Sequence, residues 1–484
     1  MRRLAVALLA FTAVAAQTPR PAFEPIQADL FALGGSFTNA WADIENDGDP
    51  DLFVGFGGTP NRLYRNDKGV FTDIAAEAGV ADARPARAAA WGDFDADGDP
   101  DLLVGFTPGD ASLLKLYRNE RGRFTDVTAE AGLTVTAGAV RQLSWIDPDA
   151  DGDLDLFVAF RDREKAFYRN SGNRFQDVAA EIGLADRRRS VGAVWFDMDD
   201  DNDLDLVVAN MDGDANALFR NDAGKFTDVA EAAGIAWGGR APKDSANGTV
   251  RVCAADVDLD GRLDLFFANY GPNGLFLNRG NGMFEDVSKT WGVAIDGRYD
   301  TCTFADIDHD GRADLYVNGT YTANKQFPDY LFRNTGKAFD DVTPDNVKAL
   351  NADHGAAWAD ADGDGDLDLA LTGVRPDGMH SVLRNLLPSK PRRALIVQPT
   401  QTLPGAVVRA WAPGTPRRLI ASALVDTGSG YDAQNWLPVH LGVGDAALVD
   451  LEITYPAAGR AVRGALAKVP AQSGKVVALP VPSR

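Results

Sequence analysis

Residues 91–102 read Trp-Gly-Asp-Phe-Asp-Ala-Asp-Gly-Asp-Pro-Asp-Leu, an acidic loop between two hydrophobic stretches. The same pattern, with small variations, occurs seven times along the 484-residue chain. Its first aspartates are Asp43, Asp93, Asp147, Asp197, Asp256, Asp306 and Asp360. Successive copies lie 50 to 59 residues apart, and a period near 50 is about the length of one four-stranded propeller blade. The sequence therefore predicts an all-β fold, a seven-bladed β-propeller.

Each repeat contains four short runs with the composition of strands, separated by turns. In the second repeat these runs are residues 88–91, 102–106, 113–118 and 124–128. The third run ends on an Arg-Asn pair that recurs in other repeats, and we expect its Asn to fix a turn through side-chain to backbone hydrogen bonds.

The seventh repeat has no fourth run after Asn385. The missing piece is at the other end of the chain, where residues 23–26 have the spacing of residues 71–74 in the first repeat. We therefore expect residues near 21–27 to form the outer strand of the last blade. Such a strand would close the ring and remove an exposed sheet edge.

The acidic loop places carboxylates at positions 1, 3, 5 and 9. Side chains this close repel each other unless a cation holds them, and hard oxygen ligands favour Ca²⁺. Gly98, at position 6, permits the sharp turn that brings position 9 back. An EF-hand would need Glu at position 12, but Val104 stands there in the second loop, so that motif is excluded. The alternative is a set of solvated acidic turns, which does not account for seven copies at matched positions.

The sequence thus predicts up to seven Ca²⁺ sites. The first loop departs slightly at Glu45, and the fourth has Asn202 in place of Gly. The candidate ligands are Asp43, Glu45, Asp47 and Asp51; Asp93, Asp95, Asp97 and Asp101; Asp147, Asp149, Asp151 and Asp155; Asp197, Asp199, Asp201 and Asp205; Asp256, Asp258, Asp260 and Asp264; Asp306, Asp308, Asp310 and Asp314; and Asp360, Asp362, Asp364 and Asp368.

The loops resemble a known repeat family. Residues 306–315, Asp-Ile-Asp-His-Asp-Gly-Arg-Ala-Asp-Leu, and their six relatives are similar to the FG-GAP, or VCBS, repeats of integrin α-type propellers. The C-terminal part, with Gly-Ser-Gly-Tyr at 428–431, Gln434, residues 440–444 and residues 453–456, resembles the ASPIC/UnbV domain of cartilage acidic protein-like chains. The resemblance implies secreted or surface proteins with adhesion or matrix roles.

The ends of the chain predict its location and a second domain. Arg2 and Arg3, an apolar run to Ala16 and small residues before Gln17 are typical of a signal peptide at residues 1–16. We expect a secreted, periplasmic or cell-surface protein with no membrane span. The propeller is assigned to residues 17–388, and residues 389–484 are predicted to form a small β-sandwich packed against it.

The charge balance bears on partners. The chain has 70 acidic and 48 basic residues, a formal net charge of −22, which argues against nucleic acid because a nucleic-acid binder needs a basic surface. An extracellular protein or carbohydrate is the expected partner.

Two cysteines, Cys253 and Cys302, fall on the innermost strands of the fifth and sixth blades. Export permits a disulfide between them. Sequence parity does not fix the geometry that a bond requires, so a disulfide and two buried thiols both remain open.

The connections opposite the acidic loops are longer and more varied, as expected of functional loops on a rigid scaffold. At the adjoining mouth of the channel we expect Arg87, Arg141, Arg251, Asp300 and His354 to form a site for an anionic ligand. The alternative interpretation is a set of solvated charges at the rim.

Three functions compete. The first is an extracellular binding or adhesion module, because the repeats predict structural calcium and no catalytic motif is recognised. The second is a secreted enzyme, a polysaccharide lyase or hydrolase in which Asp300 and His354 do acid-base work. The third is a periplasmic scaffold whose C-terminal domain recruits a protein.

Overall fold

The computed structural model describes residues 20–482, except residues 110, 323, 351, 376–377, 379, 388–391, 402 and 429–431. The predicted signal peptide, residues 1–16, and its cleavage site near Ala16 lie outside the described residues. Strands dominate the described part, where the three helices are single turns at Ala75–Ala78, Ala179–Ile182 and Asp345–Lys348.

The described residues up to 385 form seven blades, each built on four antiparallel strands, and the fifth and sixth blades are joined into one eight-stranded sheet. The N-terminal strand is β1 (Phe23–Pro25). Blade one has β2 (Ser36–Ala42), β3 (Asp51–Phe56), β4 (Arg62–Asp67) and β5 (Val70–Asp73), and blade two has β6 (Ala86–Gly92), β7 (Asp101–Phe106), β8 (Leu114–Asn119) and β9 (Phe124–Asp126). Blade three has β10 (Val140–Ile146), β11 (Asp155–Phe160), β12 (Ala166–Asn170) and β13 (Phe175–Asp177), blade four has β14 (Ser190–Phe196), β15 (Asp205–Asn210), β16 (Ala217–Asp222) and β17 (Lys225–Asp228), and blade five has β18 (Gly248–Ala255), β19 (Asp264–Pro272), β20 (Gly274–Asn278) and β21 (Phe284–Asp286). Blade six has β22 (Asp296–Ala305), β23 (Asp314–Gly319), β26 (Tyr330–Asn334) and β27 (Phe339–Asp341), with a small hairpin of β24 (Tyr321–Thr322) and β25 (Lys325–Gln326); blade seven has β28 (Ala356–Ala359), β29 (Asp368–Leu371) and β30 (Ser381–Asn385) together with β1.

The seven innermost strands close into a ring, because each one lies beside the innermost strands of the two neighbouring blades. The outer strand of blade seven is β1, which pairs antiparallel with β30 so that Phe23 is opposite Asn385. This pairing confirms the predicted closing strand from the N-terminus, and with it the propeller fold.

Hydrophobic clusters fill the space between adjacent blades. Trp145, from the repeat motif of blade three, is fully buried and stacks on Phe94 of blade two, with ring centroids 6.4 Å apart. Phe175, from the outer strand of blade three, completes the cluster at 5.9 Å from Trp145. Large aromatic side chains contribute much of the burial energy of such interfaces, which is why the repeat carries Trp and Phe at fixed positions.

The C-terminal strands form two facing sheets. One contains β31 (Arg393–Pro399), β35 (Val439–Gly444) and β38 (Lys475–Leu479), and the other contains β32 (Val407–Ala412), β33 (Arg418–Leu424), β36 (Leu448–Pro456) and β37 (Ala461–Pro470). We call residues 393–479 the C-terminal sandwich. Its core joins the cluster between blades three and four, so the sandwich is packed on the propeller as expected.

Candidate calcium loops and the central channel

Each acidic loop connects the first and second strands of its blade. In the second loop the carboxylate of Asp93 accepts hydrogen bonds from the backbone of Asp97 at 3.0 Å and of Gly98 at 3.1 Å. Gly98 has a φ of 95°, a left-handed conformation that favours glycine. The turn thus folds the loop around its first carboxylate, as the spacing predicts.

The position-9 aspartate is the most buried of the set. Asp101 is fully buried and accepts bonds from the backbone N–H of Phe94 at 3.1 Å and of Asn119 at 2.8 Å. Burial raises the pKa of Asp101 to about 8, and burial together with the charges of neighbouring aspartates raises the pKa of Asp93 to about 6. Ionising these carboxylates without a counter-charge is therefore costly, and a bound cation would offset that cost.

Carboxylate oxygens converge in the loops. In five described loops, three aspartates each offer one oxygen, and the three oxygens lie within 4.8 Å of one another. The sets are Asp93, Asp95 and Asp101; Asp147, Asp149 and Asp151; Asp197, Asp199 and Asp205; Asp256, Asp258 and Asp260; and Asp306, Asp308 and Asp314. An all-oxygen donor set of this kind fits a hard divalent ion such as Ca²⁺.

An arginine from the third strand faces the position-3 acid in several blades. Arg169 lies 3.4 Å from Asp149, and Arg384 lies 2.6 Å from Asp362. The sequence analysis did not assign a role to this arginine, although its recurrence before Asn is visible in the repeats. Its position indicates that it offsets part of the negative charge of the loop.

The asparagine that follows this arginine joins neighbouring blades. Asn119 of blade two donates to the carbonyl of Ile44, at position 2 of the first acidic loop, at 3.0 Å. Asn170 of blade three donates to Phe94 of the second loop in the same way, at 3.0 Å. The predicted turn role is also present, since Gly122 donates to the Asn119 side chain at 2.7 Å. Bonds of this kind link the acidic loops at six of the seven junctions between blades, whereas Asn221 of blade four donates to Leu204 of its own blade.

A family model described as an FG-GAP-like repeat matches residues 43–104, 147–208, 197–267 and 256–317, four stretches that each begin at the first aspartate of an acidic loop. The chain carries FG-GAP-like repeats.

The curated relatives confirm the resemblance to cartilage acidic proteins: cartilage acidic protein 1 of Xenopus tropicalis is 25% identical over 311 residues, covering 58% of this chain and 44% of that protein. Human cartilage acidic protein 1 is 23% identical over 389 residues, covering 71% of this chain and 55% of the human protein.

The chain thus spans about half the length of the curated relatives it matches. A solved structure, the extracellular domain of a putative hybrid two component system from B. thetaiotaomicron, superposes with a TM-score of 0.48 and 8% identity, over 96% of this chain and 58% of that chain. None of the helices in the described part of the chain has the length and apolar character that a membrane crossing requires.

The C-terminal sandwich lies on the acidic-loop face of the FG-GAP-like propeller. Arg409 donates to the carbonyl of Gly261 in the fifth loop at 2.9 Å, and the backbone of Gly459 donates to Asn202 in the fourth at 3.2 Å. Tyr455 donates its hydroxyl to the carbonyl of Asp147 in the third loop. The sandwich therefore contacts the backbone of the candidate calcium loops themselves, which the sequence did not predict.

A segment of the sandwich enters the central channel of the propeller. The strand β34 (Ala433–Gln434) pairs in parallel with β2, the innermost strand of blade one. The side chain of Gln434 accepts from the backbone N–H of Trp91 at 2.7 Å and donates to its carbonyl at 3.3 Å. On the other side of the channel, Thr427 donates to the carbonyl of Trp145 at 2.7 Å. We call residues 426–436 the channel segment. The sequence analysis named Gln434 and Tyr431 only among the residues of the family resemblance, and Tyr431 lies outside the described residues.

Arg251, one of the predicted ligand-binding residues, lies beside an acidic residue of the channel segment. The buried guanidinium of Arg251 lies 3.5 Å from Asp426 and donates to the carbonyl of Gly428. Burial lowers the pKa of Arg251 to about 10. Arg251 thus lies inside the channel wall, and its hydrogen-bond partners belong to the same chain.

Nearer the mouth, a second acid of the channel segment lies among the remaining candidates. Arg87 lies 3.6 Å from the carboxylate of the buried Asp432, and His354 lies 3.1 Å from Asp300. Burial raises the pKa of Asp432 to about 7, while Arg87, His354 and Arg141 oppose the rise. The structure thus brings four of the five predicted residues around one internal carboxylate.

The two cysteines are joined. The Sγ atoms of Cys253 and Cys302 lie 2.14 Å apart and their Cα atoms 6.1 Å apart, in a disulfide between β18 and β22. Of the two alternatives that the sequence left open, the structure has the bond, between the innermost strands of adjacent blades.

Proposed function

We propose that this protein is an extracellular, calcium-binding module that presents a binding face on a rigid propeller. The observation that carries the proposal is the repeated convergence of three carboxylate oxygens within 4.8 Å, at the same place in successive blades. Clusters of this kind are stable at neutral pH only when their charge is balanced. An exported protein meets calcium at concentrations that suit sites of this class.

Calcium has a structural role in this proposal. The residues that would hold each ion are the acids at positions 1, 3, 5 and 9, with the backbone carbonyl of position 7. When bound, the ion supplies positive charge that offsets carboxylate repulsion and fixes the loop. Because protein oxygens would fill most of its coordination shell, the ion is not expected to act on a substrate.

The proposed binding face is the one opposite the acidic loops. There β19 and β22 extend beyond their blades and pair with each other, with Tyr270 opposite Arg298. Arg298 lies over the Tyr270 ring at 4.9 Å, and Arg375 lies over Tyr321 at 4.4 Å. Tyr321 is 39% exposed. Aromatic and arginine side chains are enriched at binding surfaces, so a protein or carbohydrate partner is proposed here.

A binding module is favoured over the alternative enzyme. The lyase or hydrolase hypothesis requires Asp300 and His354 to reach a substrate in the channel. Asp432 of the channel segment lies among their neighbours instead, and Arg87 faces this same carboxylate. Because these charges are balanced by groups of the same chain, they are not expected to bind a substrate in the channel.

The proposal is tested by binding of the calcium-loaded protein to arrays of sulfated, uronic and neutral oligosaccharides and of extracellular-matrix proteins. The double variant Tyr321→Ala, Arg298→Ala should lose at least about tenfold in affinity for a ligand found on the array, since residues of a contact centre commonly contribute more than 1.4 kcal/mol.

Arg174→Ala is the matched control, because Arg174 is exposed in the turn between β12 and β13, away from the proposed face. Equal loss in the control and the double variant, or turnover of a polysaccharide by the wild type, would contradict the proposal.

A further inference from the structure

Two histidines meet where the C-terminal sandwich touches the sixth and seventh blades. His309 belongs to the sixth acidic loop and His440 to β35 of the sandwich. Their ring centroids lie 5.0 Å apart, with the planes tilted by 45°. His309 has no exposed surface, so this is an internal contact between the two parts of the chain.

Three of the four ring nitrogens of this pair have no hydrogen-bond partner, and the fourth bonds to a backbone carbonyl. His440 Nε2 lies 2.9 Å from the carbonyl oxygen of Gly365. Since a carbonyl only accepts, Nε2 carries the hydrogen and Nδ1 carries a lone pair. Nδ1 is buried without a hydrogen-bond partner, and so are both ring nitrogens of His309. Buried polar atoms in this state cost free energy unless something binds them.

A carboxylate completes the group. Asp366 Oδ1 lies 3.4 Å from His309 Nε2, and the Asp366 side chain is 13% exposed. Burial lowers the pKa of His440 to about 4, which leaves an uncharged ring at neutral pH. Arg392 lies near His309, and its charge is engaged by Asp308 at 2.7 Å.

We propose that His309, His440 and Asp366 bind a transition-metal ion of the Zn²⁺ class, which fastens the sandwich to the propeller. Two imidazoles and one carboxylate are a ligand set that Zn²⁺ favours over Ca²⁺. A ligating histidine usually donates its other N–H to a backbone carbonyl, which fixes its tautomer, and the bond from His440 to Gly365 has this form.

The site is distinct from the calcium loops although it adjoins them. Asp366 occupies position 7 of the seventh loop, where calcium would take the backbone carbonyl and leave the side chain free. His309 occupies position 4 of the sixth loop, which is not among the predicted ligand positions. The proposal does not depend on the function proposed above.

The test uses the full mature chain, freed of transition metals and kept in saturating calcium. Zn²⁺ is titrated in competition with a chromophoric chelator, and Co²⁺ is added separately to record its visible absorption. The wild type should bind one tight Zn²⁺ per chain, show a Co²⁺ spectrum of nitrogen and oxygen ligands, and melt at a higher temperature with Zn²⁺ than without.

His440→Gln and Asp366→Asn should each lower the affinity for Zn²⁺ by about tenfold or more, because each removes a direct ligand. Asp366→Asn keeps the position-7 carbonyl, so calcium binding should be unchanged, and it serves if His440→Gln does not fold.

The matched controls are Asp99→Asn, the position-7 acid of the second loop, and His380→Gln, a buried histidine that bonds to Tyr64 instead. Both should bind Zn²⁺ as the wild type does. No tight Zn²⁺ in the wild type at saturating calcium, or undiminished affinity in both ligand variants, would overturn the proposal.

Discussion

At the scale of single residues, the side chain of Asn119 bonds within its own turn and to the preceding blade. Its turn role follows from the sequence, because Asn before a Gly-containing turn is a local signal. The bond to Ile44 spans 75 residues and depends on how two blades pack. No local pattern could have predicted it.

Asn119→Ala should destabilise the protein by about 1–3 kcal/mol, because it leaves a buried carbonyl and a backbone N–H without partners. Urea unfolding of the calcium-loaded protein would measure this. Glu120→Ala, at the next and exposed position, is the control and should change the stability by less than about 0.5 kcal/mol. A loss in the control as large as in Asn119→Ala would contradict the inter-blade role.

The ligand role of Asp101 could be predicted from the sequence, but its surroundings could not. The spacing predicted it as a ligand, but its deep burial and its two backbone donors come from the sheet that surrounds it. Asp101→Asn keeps the shape and removes the charge. Calcium affinity of this loop should fall by about tenfold or more, and the metal-free protein should lose about 1–3 kcal/mol, because the amide NH2 group then faces one of the two backbone N–H donors.

Calorimetric titration with calcium and thermal melting without it would measure both effects. Glu120→Gln, at an exposed position of the same blade, should change neither. If Asp101→Asn bound as much calcium as the wild type with equal affinity, the ligand role of position 9 would be wrong.

At the scale of elements, the acidic loops predict an unusual pH dependence. Burial raises the pKa of the position-9 acids Asp51, Asp101, Asp155 and Asp205 to about 8, from 3.8. A raised carboxyl pKa stabilises the fold fully below about pH 4, and this contribution is lost as pH rises to about 8. Calcium binds the ionised form, so its stabilising effect should grow over the same range.

Melting temperatures of dialysed and calcium-loaded protein between pH 5 and pH 8 would check this. The dialysed protein should become less stable towards pH 8, and the gap between the two curves should widen. A gap that narrowed with rising pH would contradict the account of the loops.

Elements with regular patterns were predictable, and irregular ones were not. The seven acidic loops set the positions of the first two strands of each blade, and the pattern at Phe23 identified the closing strand. The two-residue strand β34 had no such signal. It exists because the backbone of Asn39 and Ala40 offers pairing partners inside the channel, which is a property of the assembled ring.

At the scale of the whole molecule, the channel segment ties the sandwich to the propeller. Arg251→Met should remove the buried guanidinium that lies 3.5 Å from Asp426 and donates to the carbonyl of Gly428, and removing one partner of a buried ion pair costs about 3–5 kcal/mol. The sandwich should then release more often, so limited proteolysis between the two parts should be faster. Arg187→Met, at a side chain that is 83% exposed, should leave the rate unchanged. Equal rates of proteolysis in the wild type and Arg251→Met would contradict this role of the channel segment.

The sequence predicted both parts of the molecule but not how they join. Arg251 was selected as a channel residue for an external anion, and the anion nearest to it is Asp426 of the same chain. The two residues are distant in sequence, and Asp426 belongs to no repeat. Only the folded chain reveals that the sandwich contacts several acidic loops and that a segment of it enters the channel.

The most direct measurement of the central claim is the calcium content of the purified protein, read together with its melting temperature before and after exhaustive chelation. The account predicts about five or more calcium ions per chain, because at least five loops among the described residues bring three carboxylate oxygens together. It also predicts a melting temperature that falls by several degrees on chelation and recovers when calcium is restored. A protein that held no calcium and melted at the same temperature with and without the chelator would contradict it.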